Sequence, residues 1–273
     1  AHQALAVHRT LCSSLTLSED LVADGFESFL LSQYFPNNIT LLVGKDSQFL
    51  YTFDYAPLRR KGKMSERQKR QRAVLEEKYR APSNAVFTSF LRVLDEIEGY
   101  VAAKKASLPL TLYTDEHATY PKALRSHSVL AHLHETGTVQ HLRVSSRAPR
   151  TKSNQLFAVN YYDRELRKDN ANHVRETVQF SRNAANCMER MAVYMLYHNF
   201  YKPYRIRSGV EEVHAERAGV SKEAIRGEWK SFFTRRRFLS RVNLSMSEAM
   251  VWLRFIPTPL KQWAEYVPAY MWD

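Results

Sequence analysis

Cysteine is scarce in this 273-residue chain, which contains only Cys12 and Cys187. Two cysteines are too few for a disulfide framework or a four-cysteine zinc site, and they favour a reducing compartment. Long apolar runs are missing too, because no stretch approaches the roughly 20 residues of a bilayer-spanning helix, and the N-terminus lacks the layout of a signal peptide. We therefore expect neither a disulfide-rich secreted domain nor a membrane protein.

Acidic residues are in deficit. The chain has 28 aspartates and glutamates against 40 lysines and arginines, which gives a formal net charge of +12. A surplus of this size favours polyanionic partners such as nucleic acid, and the alternative is a basic enzyme without such a partner. Hydrophobic residues make up 44% of the chain, enough to pack one large domain plus an appendage, so disorder is not expected.

The order of the predicted elements indicates the fold. Runs of β-branched and aromatic residues predict five strands, at 21–30, 38–44, 48–55, 108–114 and 138–146. The short GKDS connection between the second and third strands is suited to a hairpin. Apolar residues spaced by three and four predict an amphipathic helix before the fourth strand, at Phe87, Phe90, Leu94, Ile97 and Val101. Three antiparallel strands followed by alternating helices and strands predict an α/β, RNase H-like fold, with a mixed five-stranded sheet flanked by helices.

Three regions are expected along the chain. Because the sequence starts inside a helical pattern, residues 1–18 are expected to end a truncated N-terminal region, and residues 19–205 to form the RNase H-like catalytic domain. Residues 206–273 are expected to form a helical, basic C-terminal extension. There, VEEVHAERAGVSKEAIRGEW places two helical patterns around an A-G-V-S turn, followed by TRRRFLSR. This pattern fits a DNA-reading helix-turn-helix or an ordinary helical hairpin.

Two aspartates stand where the predicted strands would place carboxylates at the rim of the sheet. Asp24 lies in VADGFESF on the first strand, and Asp115 directly follows the fourth. Ligands of such sheets bind at the carboxyl ends of strands, and the two residues would be neighbours if these strands pair. Carboxylates are the ligands that hold two Mg²⁺ ions about 3.5–4 Å apart in phosphodiester cleavage. The alternative for each aspartate is a solvated residue at a strand end.

Four segments carry a resemblance to a known family. VADGFESF, LYTDEHATYPKAL, VNYYDRELRKDNANHVRETVQFSRN and MAVYMLYHNFYKPYRI together resemble the DDE-type transposases of bacterial insertion sequences, across residues 20 to about 205. The resemblance implies DNA strand cleavage and strand transfer with two Mg²⁺ or Mn²⁺ ions. It also implies element ends and target DNA as partners, a homo-oligomer, and a place in the bacterial cytoplasm with the nucleoid.

The resemblance also assigns site residues. The family's first acid lies on the first strand and its second follows the fourth strand in a T-D-E/G-x-x-x-Y context, which Asp24 and Asp115 match. The third opens a helix of the form E-x-x-N-x-x-L-R. When the family's L-R is aligned with Leu166 and Arg167, Asn160 stands at the position of the family's glutamate and Asp163 at the position of its asparagine. The carboxylate and the amide have therefore exchanged places relative to the family's pattern.

The identity of the third ligand stays open at this point. Asp163 shares a helix face with Asn160 and could replace the missing carboxylate. Glu165 lies about 140° round the helix from Asn160 and is less well placed. Asn160 could instead act as a helix cap. Loss of the third carboxylate would leave a catalytically inactive DNA-binding protein derived from a transposase.

Basic residues offer phosphate contacts, which would be salt-dependent and largely independent of DNA sequence. The candidates are Arg59, Arg60, Lys61, Arg147, Arg150, Lys152, Arg167 and Arg175. Arg167 and Arg175 lie two turns apart if one helix covers residues 160–182. For the basic stretch 59–80, the alternative is a solvated charged helix.

Other residues could be mistaken for ligands. Asp54 could compete for the first-ligand position, although an ion pair is the expected role. A loose histidine cluster could suggest zinc but has neither cysteine partners nor helical i, i+4 spacing; its members are His127, His132, His134 and His141. His198 in YHNF is expected to be a packing residue.

Overall fold

The computed structural model describes residues 1–145, 147–174, 179–205, 209 and 211–261. The strands are β1 (Leu21–Phe29), β2 (Pro36–Gly44), β3 (Leu50–Pro57), β4 (Leu110–Thr114) and β5 (Val139–Arg143). They form one sheet in the order β3-β2-β1-β4-β5. The first three strands are antiparallel neighbours, whereas β4 pairs in parallel with β1 and β5. This order and these directions are those of the RNase H-like fold, which confirms the predicted fold class.

Helices cover both sides of this sheet. The α-helices of the described ranges are α1 (His2–Cys12), α2 (Glu66–Lys78), α3 (Ala85–Ala102), α4 (Thr119–Ser126), α5 (Ser128–Glu135), α6 (Phe157–Asp169), α7 (Ala184–Phe200), α8 (His214–Ala218), α9 (Lys222–Ser231) and α10 (Met246–Trp252). None of these helices combines the length and the apolar character that a bilayer span requires.

Side chains along β1 alternate between two cores. Leu21 and Ala23 belong to the core that contains α3, whereas Val22 and Phe26 belong to the core that contains α6 and most of α7. Successive residues of a strand point to opposite faces of a sheet, so Asp24 shares the α6 side with Val22 and Phe26. The strand thus carries an acidic group at a position whose neighbours on the same face are buried and apolar.

The helices α2 and α3 match the sequence pattern. The predicted stripe of α3 is confirmed, because Phe90, Leu94 and Ile97 are fully buried against the sheet. α2 has no buried residue and is the predicted solvated helix; a capping box at its start is formed by Ser65 and Gln68.

The helix predicted over 160–182 is shorter than expected. α6 ends at Asp169, because Asn170 takes extended backbone with φ −126° and ψ 105°. Beyond this break, the His173 ring packs edge-on against Phe26, and its Nδ1 atom lies 2.8 Å from the Ser28 hydroxyl. The D-N-A-N sequence at 169–172 has poor helix propensity, so ending the helix here costs little free energy and allows His173 to pack against Phe26.

A tight turn joins α8 and α9. Gly219 ends α8 in the left-handed region, with φ 106°, where glycine avoids the strain that a side chain would bring. Ser221 then caps α9 by accepting the amide hydrogen of Ala224 at 3.2 Å. α8 itself is anchored to the core, because His214 is buried and its Nδ1 atom lies 2.9 Å from the carbonyl oxygen of Ser47.

Candidate active site

The register between β1 and β4 brings the two predicted aspartates together. Leu21 lies opposite Leu112 and Val22 opposite Tyr113. Two residues further along, the same register sets Asp24 level with Asp115, directly beyond the end of β4. The strands therefore pair side by side, as the sequence analysis supposed, and place both carboxyl groups at one edge of the sheet.

The carboxyl group of Asp24 is partly buried and lies near two other acids. Its Oδ1 atom accepts the amide hydrogen of Gly25 at 2.7 Å and a hydrogen bond from the Tyr120 hydroxyl at 3.3 Å. Burial, together with the negative charges of Asp115 and Asp163, raises the pKa of Asp24 to about 7, although the two hydrogen bonds oppose the shift. This carboxyl group is therefore poised to bind a cation near neutral pH, when it loses its proton.

Tyr120 is the residue that connects α4 to the site. Its ring is buried and packs against Phe90, with 4.5 Å between the ring centroids. Burial and the charges of Asp24 and Asp115 raise the pKa of Tyr120, so its hydroxyl stays protonated and acts as a donor. Tyr120 was not among the predicted site residues, although it is the tyrosine of the T-D-E/G-x-x-x-Y context.

Asp115 is fixed by the turn that follows β4. Its Oδ1 atom accepts the amide hydrogen of His117 at 2.8 Å, and its carbonyl oxygen accepts a hydrogen bond from the Thr114 hydroxyl at 2.9 Å. Within the described ranges, no side-chain nitrogen of a lysine, arginine or histidine lies within 4.0 Å of the carboxylate oxygens of Asp24 or Asp115. Two adjacent carboxyl groups without a cationic partner are the donor set that Mg²⁺ or Mn²⁺ requires, so these residues fit such an ion.

The third acidic position lies on α6. Asp163 is about one-third exposed, and its charge contributes to the raised pKa of Asp24. Its Oδ2 atom also lies 3.7 Å from the guanidinium of Arg167, one turn later. Asp24, Asp115 and Asp163 do not all approach one another within 4.8 Å in the part of the chain that the structure describes. Ligands of two ions 3.5–4 Å apart are spread more widely than those of one ion.

The two other candidate positions on α6 are Glu165 and Asn160. Glu165 is buried on another side of α6 and forms a salt bridge with Lys202, whose Nζ also lies 2.8 Å from Asp169. Burial works against ionisation of Glu165, but the Lys202 ammonium outweighs it and the pKa is lowered. Asn160 is not a helix cap, because the N-cap of α6 is Leu156 and Asn160 lies one turn inside the helix.

A groove of about 520 Å³ passes the two aspartates. Its lining includes Asp24, Asp115 and Tyr120 on one side and the basic loop Arg59–Lys61 on the other. The loop is anchored, because the Nε of Arg59 donates to the carbonyl oxygen of Ala81 at 2.8 Å. The groove thus places a carboxylate pair and a short row of cations in one lining.

The other predicted phosphate contacts lie outside the lining of this groove. Arg147, Arg150 and Lys152 are exposed in the loop between β5 and α6. The guanidinium of Arg167 stacks over the ring of Phe26, 4.7 Å from its centroid, on the α6 side of the sheet. Arg175 lies outside the described residues. The prediction that it follows Arg167 on one helix is wrong, because α6 ends before it.

Gly25 is required next to Asp24 by a cross-strand contact. A Cβ atom at this position would lie 2.0 Å from Oδ1 of Asn38, which also lines the groove. The Asn38 amide is held there by donating to the Thr40 hydroxyl at 3.1 Å. Nothing in the local sequence signals this contact, because it joins diagonal positions of β1 and β2.

Asp54 forms an ion pair and not a metal site. Its two carboxylate oxygens accept hydrogen bonds from the guanidinium of Arg92, each at 2.6 Å, and the Ser247 hydroxyl donates to one of them at 2.9 Å. Burial raises the pKa of Asp54, and these hydrogen bonds oppose the shift. The expected structural role of Asp54 is confirmed.

The four histidines do not converge. His127 alone joins a group with the composition and spacing to hold a metal ion, with Asp95 and Glu98 of α3. Its Nδ1 atom, however, accepts the amide hydrogen of Leu130, so the neutral ring carries its proton on Nε2, 3.2 Å from Asp95. That proton occupies the position of a metal ligand's lone pair, and the geometry is that of a helix cap with a hydrogen-bonded acid.

No protein-family model and no curated protein matches the sequence. Several chains of solved structures are similar to it. One is a chain of the simian T-cell lymphotropic virus intasome in complex with the PP2A regulatory subunit B56 gamma, with a TM-score of 0.37 and 8% identity. The match covers 77% of this chain and 57% of that chain, so this chain spans little more than half of the intasome chain.

The second is the HTLV-2 integrase catalytic core domain in complex with magnesium, in its dimeric form. Its TM-score is 0.34 and its identity 7%, over 76% of this chain and 99% of that chain. Both likenesses are remote, so the assignment of the fold rests on the strand order and directions in the sheet.

Proposed function

We propose that this protein is a DNA-cutting and DNA-joining enzyme of the transposase and integrase type, which acts on the ends of an insertion element. The observation that carries the proposal is the partly buried carboxyl group of Asp24, whose pKa is raised to about 7 beside Asp115 and Asp163. Two of these acids, Asp24 and Asp115, have no cationic side chain beside them in the described ranges and lie at the edge of a groove that Arg59–Lys61 also line, which suits a cation-dependent reaction on a polyanion.

Asp24 and Asp115 would hold a pair of Mg²⁺ or Mn²⁺ ions, with Asp163 or Asn160 as the third ligand. When bound, such ions activate the nucleophile at neutral pH and stabilise the charge of the leaving oxygen. Tyr120 and the Gly25 amide hold Oδ1 of Asp24 in place, so the chain supplies a fixed carboxylate without a conformational step.

The side chains of the groove would position the DNA substrate. Arg59, Arg60 and Lys61 would contact the phosphates of a DNA strand lying in the groove. Water would attack a phosphorus atom at the element's end, and the bond to the 3′ oxygen would break to release a 3′-hydroxyl. That hydroxyl would then attack a phosphodiester of target DNA, and the displaced oxygen would leave with its strand.

A second candidate function is DNA binding without cleavage. Two observations favour it. An amide, Asn160, occupies the position at which the resembled family has its glutamate. Asp163, its nearest replacement, lies 3.7 Å from the positive charge of Arg167. A site in which this guanidinium neutralises the third carboxylate would bind metal ions weakly and keep the basic groove.

The deciding experiment is nicking of DNA that carries candidate terminal repeats, with Mg²⁺ or Mn²⁺ present. Wild-type protein is compared with Asp115→Ala and with Glu116→Ala, a control that removes an exposed acid from the adjacent position. We expect loss of nicking only in Asp115→Ala. Equal nicking by all three proteins would rule out the proposed site. DNA binding without nicking by any of them supports the second candidate.

The assembly and the setting are part of the same proposal. A transposase must bring two element ends together, so we expect a homo-oligomer that forms on paired ends, in a bacterial cytoplasm where chromosomal DNA is accessible. Sedimentation with and without end-bearing DNA tests the assembly, because a protein that stays monomeric on such DNA could not hold two ends.

A further inference from the structure

The solvent face of α9 carries a row of three positive charges, beside which Glu223 is also exposed. Lys222, Arg226 and Lys230 follow one another at intervals of four residues, so they lie on one face of the helix, and all three are exposed. In the described ranges none of them has an acidic partner within 4.0 Å. The opposite face is used for packing, because Ile225 is buried and Trp229 packs against the same core.

The loop after α9 continues this surface with aromatic and basic side chains. Phe233 is 94% exposed and Phe238 is 58% exposed. Between them lie Arg235 and Arg236, which are also exposed and have no acidic partner among the described residues. Arg237 is different, because it forms a salt bridge with Glu228 of α9.

The backbone of this loop is anchored although its side chains are in solvent. The side-chain amide of Gln3 donates to the carbonyl oxygens of Phe232 and Arg235, at 2.9 and 2.8 Å. The guanidinium of Arg237 reaches the Thr10 hydroxyl at 2.8 Å. The two exposed phenyl rings therefore belong to a loop whose backbone is held in place by hydrogen bonds. A ligand that buries these rings would gain stability from the burial of apolar surface.

This surface is distant from the groove. α8, which leads into α9, is anchored at Ser47 in the connection between β2 and β3. The groove instead includes Pro36 and Pro57, at the other ends of those two strands. A nine-residue strand is about 30 Å long, so the two surfaces lie at opposite ends of the sheet.

We propose that this face is a second nucleic-acid site, which binds a DNA strand with unpaired bases. The cations would contact phosphates, and Phe233 and Phe238 would stack on bases, as in proteins that bind single strands. Charge complementarity selects a polyanion over a second copy of this chain, because the chain has a net charge of +12. The inference rests on the proposed function in taking DNA as the polyanion.

The test measures binding by fluorescence anisotropy in EDTA, where no nicking occurs. The probes are a labelled 20-nucleotide single strand and the matched duplex. We expect Arg226→Ala/Lys230→Ala to weaken binding of both probes, and to lower the slope of log affinity against log salt by about 1 to 2. Phe233→Ala/Phe238→Ala should weaken binding of the single strand about tenfold and change binding of the duplex less than twofold.

A matched control removes the same charge from α2. In Lys69→Ala/Arg72→Ala the two cations that are lost pair with Glu66 and Glu76, at 2.8 and 2.7 Å. If both charge variants weaken DNA binding equally, the effect comes from the lower net charge of the protein and the proposal is overturned. A phenylalanine variant that binds both probes normally but loses self-association would also overturn it, and would identify an interface between copies. The binding assay contains EDTA and does not depend on nicking, so failure of the proposed nicking activity leaves this test intact.

Discussion

The hydroxyl of Tyr120 and the amide of Gly25 donate to the same oxygen of Asp24, Oδ1, at 3.3 and 2.7 Å. Within the described residues, Oδ2 of this carboxyl group has no hydrogen-bond donor. One oxygen is thus held by the protein and the other is left for a ligand. A partly buried carboxyl group with a raised pKa should make the stability of the protein depend on pH.

We expect the metal-free protein to lose stability as the pH rises from about 4 to about 7. The folded pKa of Asp24 is about 7 and its ordinary value is 3.8, so between these values the folded state holds a proton that the unfolded chain releases. The loss has an upper limit of about 4 kcal/mol, at about 1.4 kcal/mol per pKa unit. Urea denaturation in EDTA, at pH 4.5 to 8, measures it. Asp24→Asn should flatten this part of the profile, and an unchanged profile would contradict the assignment.

Tyr120→Phe should raise the pKa of Asp24 further, because the lost hydrogen bond favours the ionised carboxylate. Nicking should then require a higher pH, with a shift of the acidic limb by about half a unit to one unit. The pH profile of nicking rate measures this shift. Activity at high pH should recover, since Tyr120 does not touch the substrate in our proposal. A uniform loss at every pH would instead indicate a direct role for the hydroxyl.

Asp163 and Glu165 should behave in opposite ways, although they lie two residues apart. Asp163→Asn should lower the nicking rate at least tenfold, because the site would bind metal ions more weakly, and should leave the free energy of unfolding nearly unchanged. Glu165→Gln should keep nicking but lower the free energy of unfolding by about 1–3 kcal/mol, because buried Lys202 loses one of its two acids. Interchanged results would move the third ligand to Glu165.

Gly25→Ala should disturb the site through its neighbour on β2. The new methyl group needs the space of the Asn38 amide, which lies 2.0 Å from the Cβ position, so we expect a loss of about 1–3 kcal/mol in stability and a fall in nicking. Asn38→Ala removes the obstruction, so the double variant should be more stable than Gly25→Ala alone. Simple additivity of the two losses, measured by denaturation, would show that the contact is not the cause.

Asp54→Asn should affect stability and not the reaction. Removal of this carboxylate leaves the Arg92 guanidinium without its bidentate partner, which should cost about 3–5 kcal/mol. Ser247→Ala removes only a hydroxyl from the same group and should cost about 1 kcal/mol. Calorimetric Mg²⁺ binding should be equal in both variants and wild type. Loss of Mg²⁺ binding in Asp54→Asn would show that Asp54 is a metal ligand.

The fold was predictable because its signals are local. Alternating and β-branched residues predicted every strand to within a few residues, and the three- and four-residue spacing from Phe87 predicted α3. The position of Asp115 directly after a strand predicted its place at the edge of the sheet, since strand ends meet there. The pairing of Asp24 with Asp115 also followed, but only through the strand order of the supposed fold.

Contacts between distant segments were not predictable. The end of α6 depends on His173 packing against Phe26, 147 positions earlier in the chain, and helix propensity cannot register such a contact. The salt bridge between Glu165 and Lys202 could not be predicted either, because it joins two separate segments of the chain. The same holds for Asn38, whose amide lies over Gly25 from a neighbouring strand.

The sequence by itself determined the elements, their order, the basic character and the two aspartates at strand positions. Periodicity and charge are properties of neighbouring residues, so they can be read without coordinates. Only the tertiary structure decided that Asp24 has a raised pKa, that Tyr120 binds it, and that Arg59–Lys61 share its groove. Burial and the approach of charges from separate elements fix these properties, and both exist only once the chain has folded.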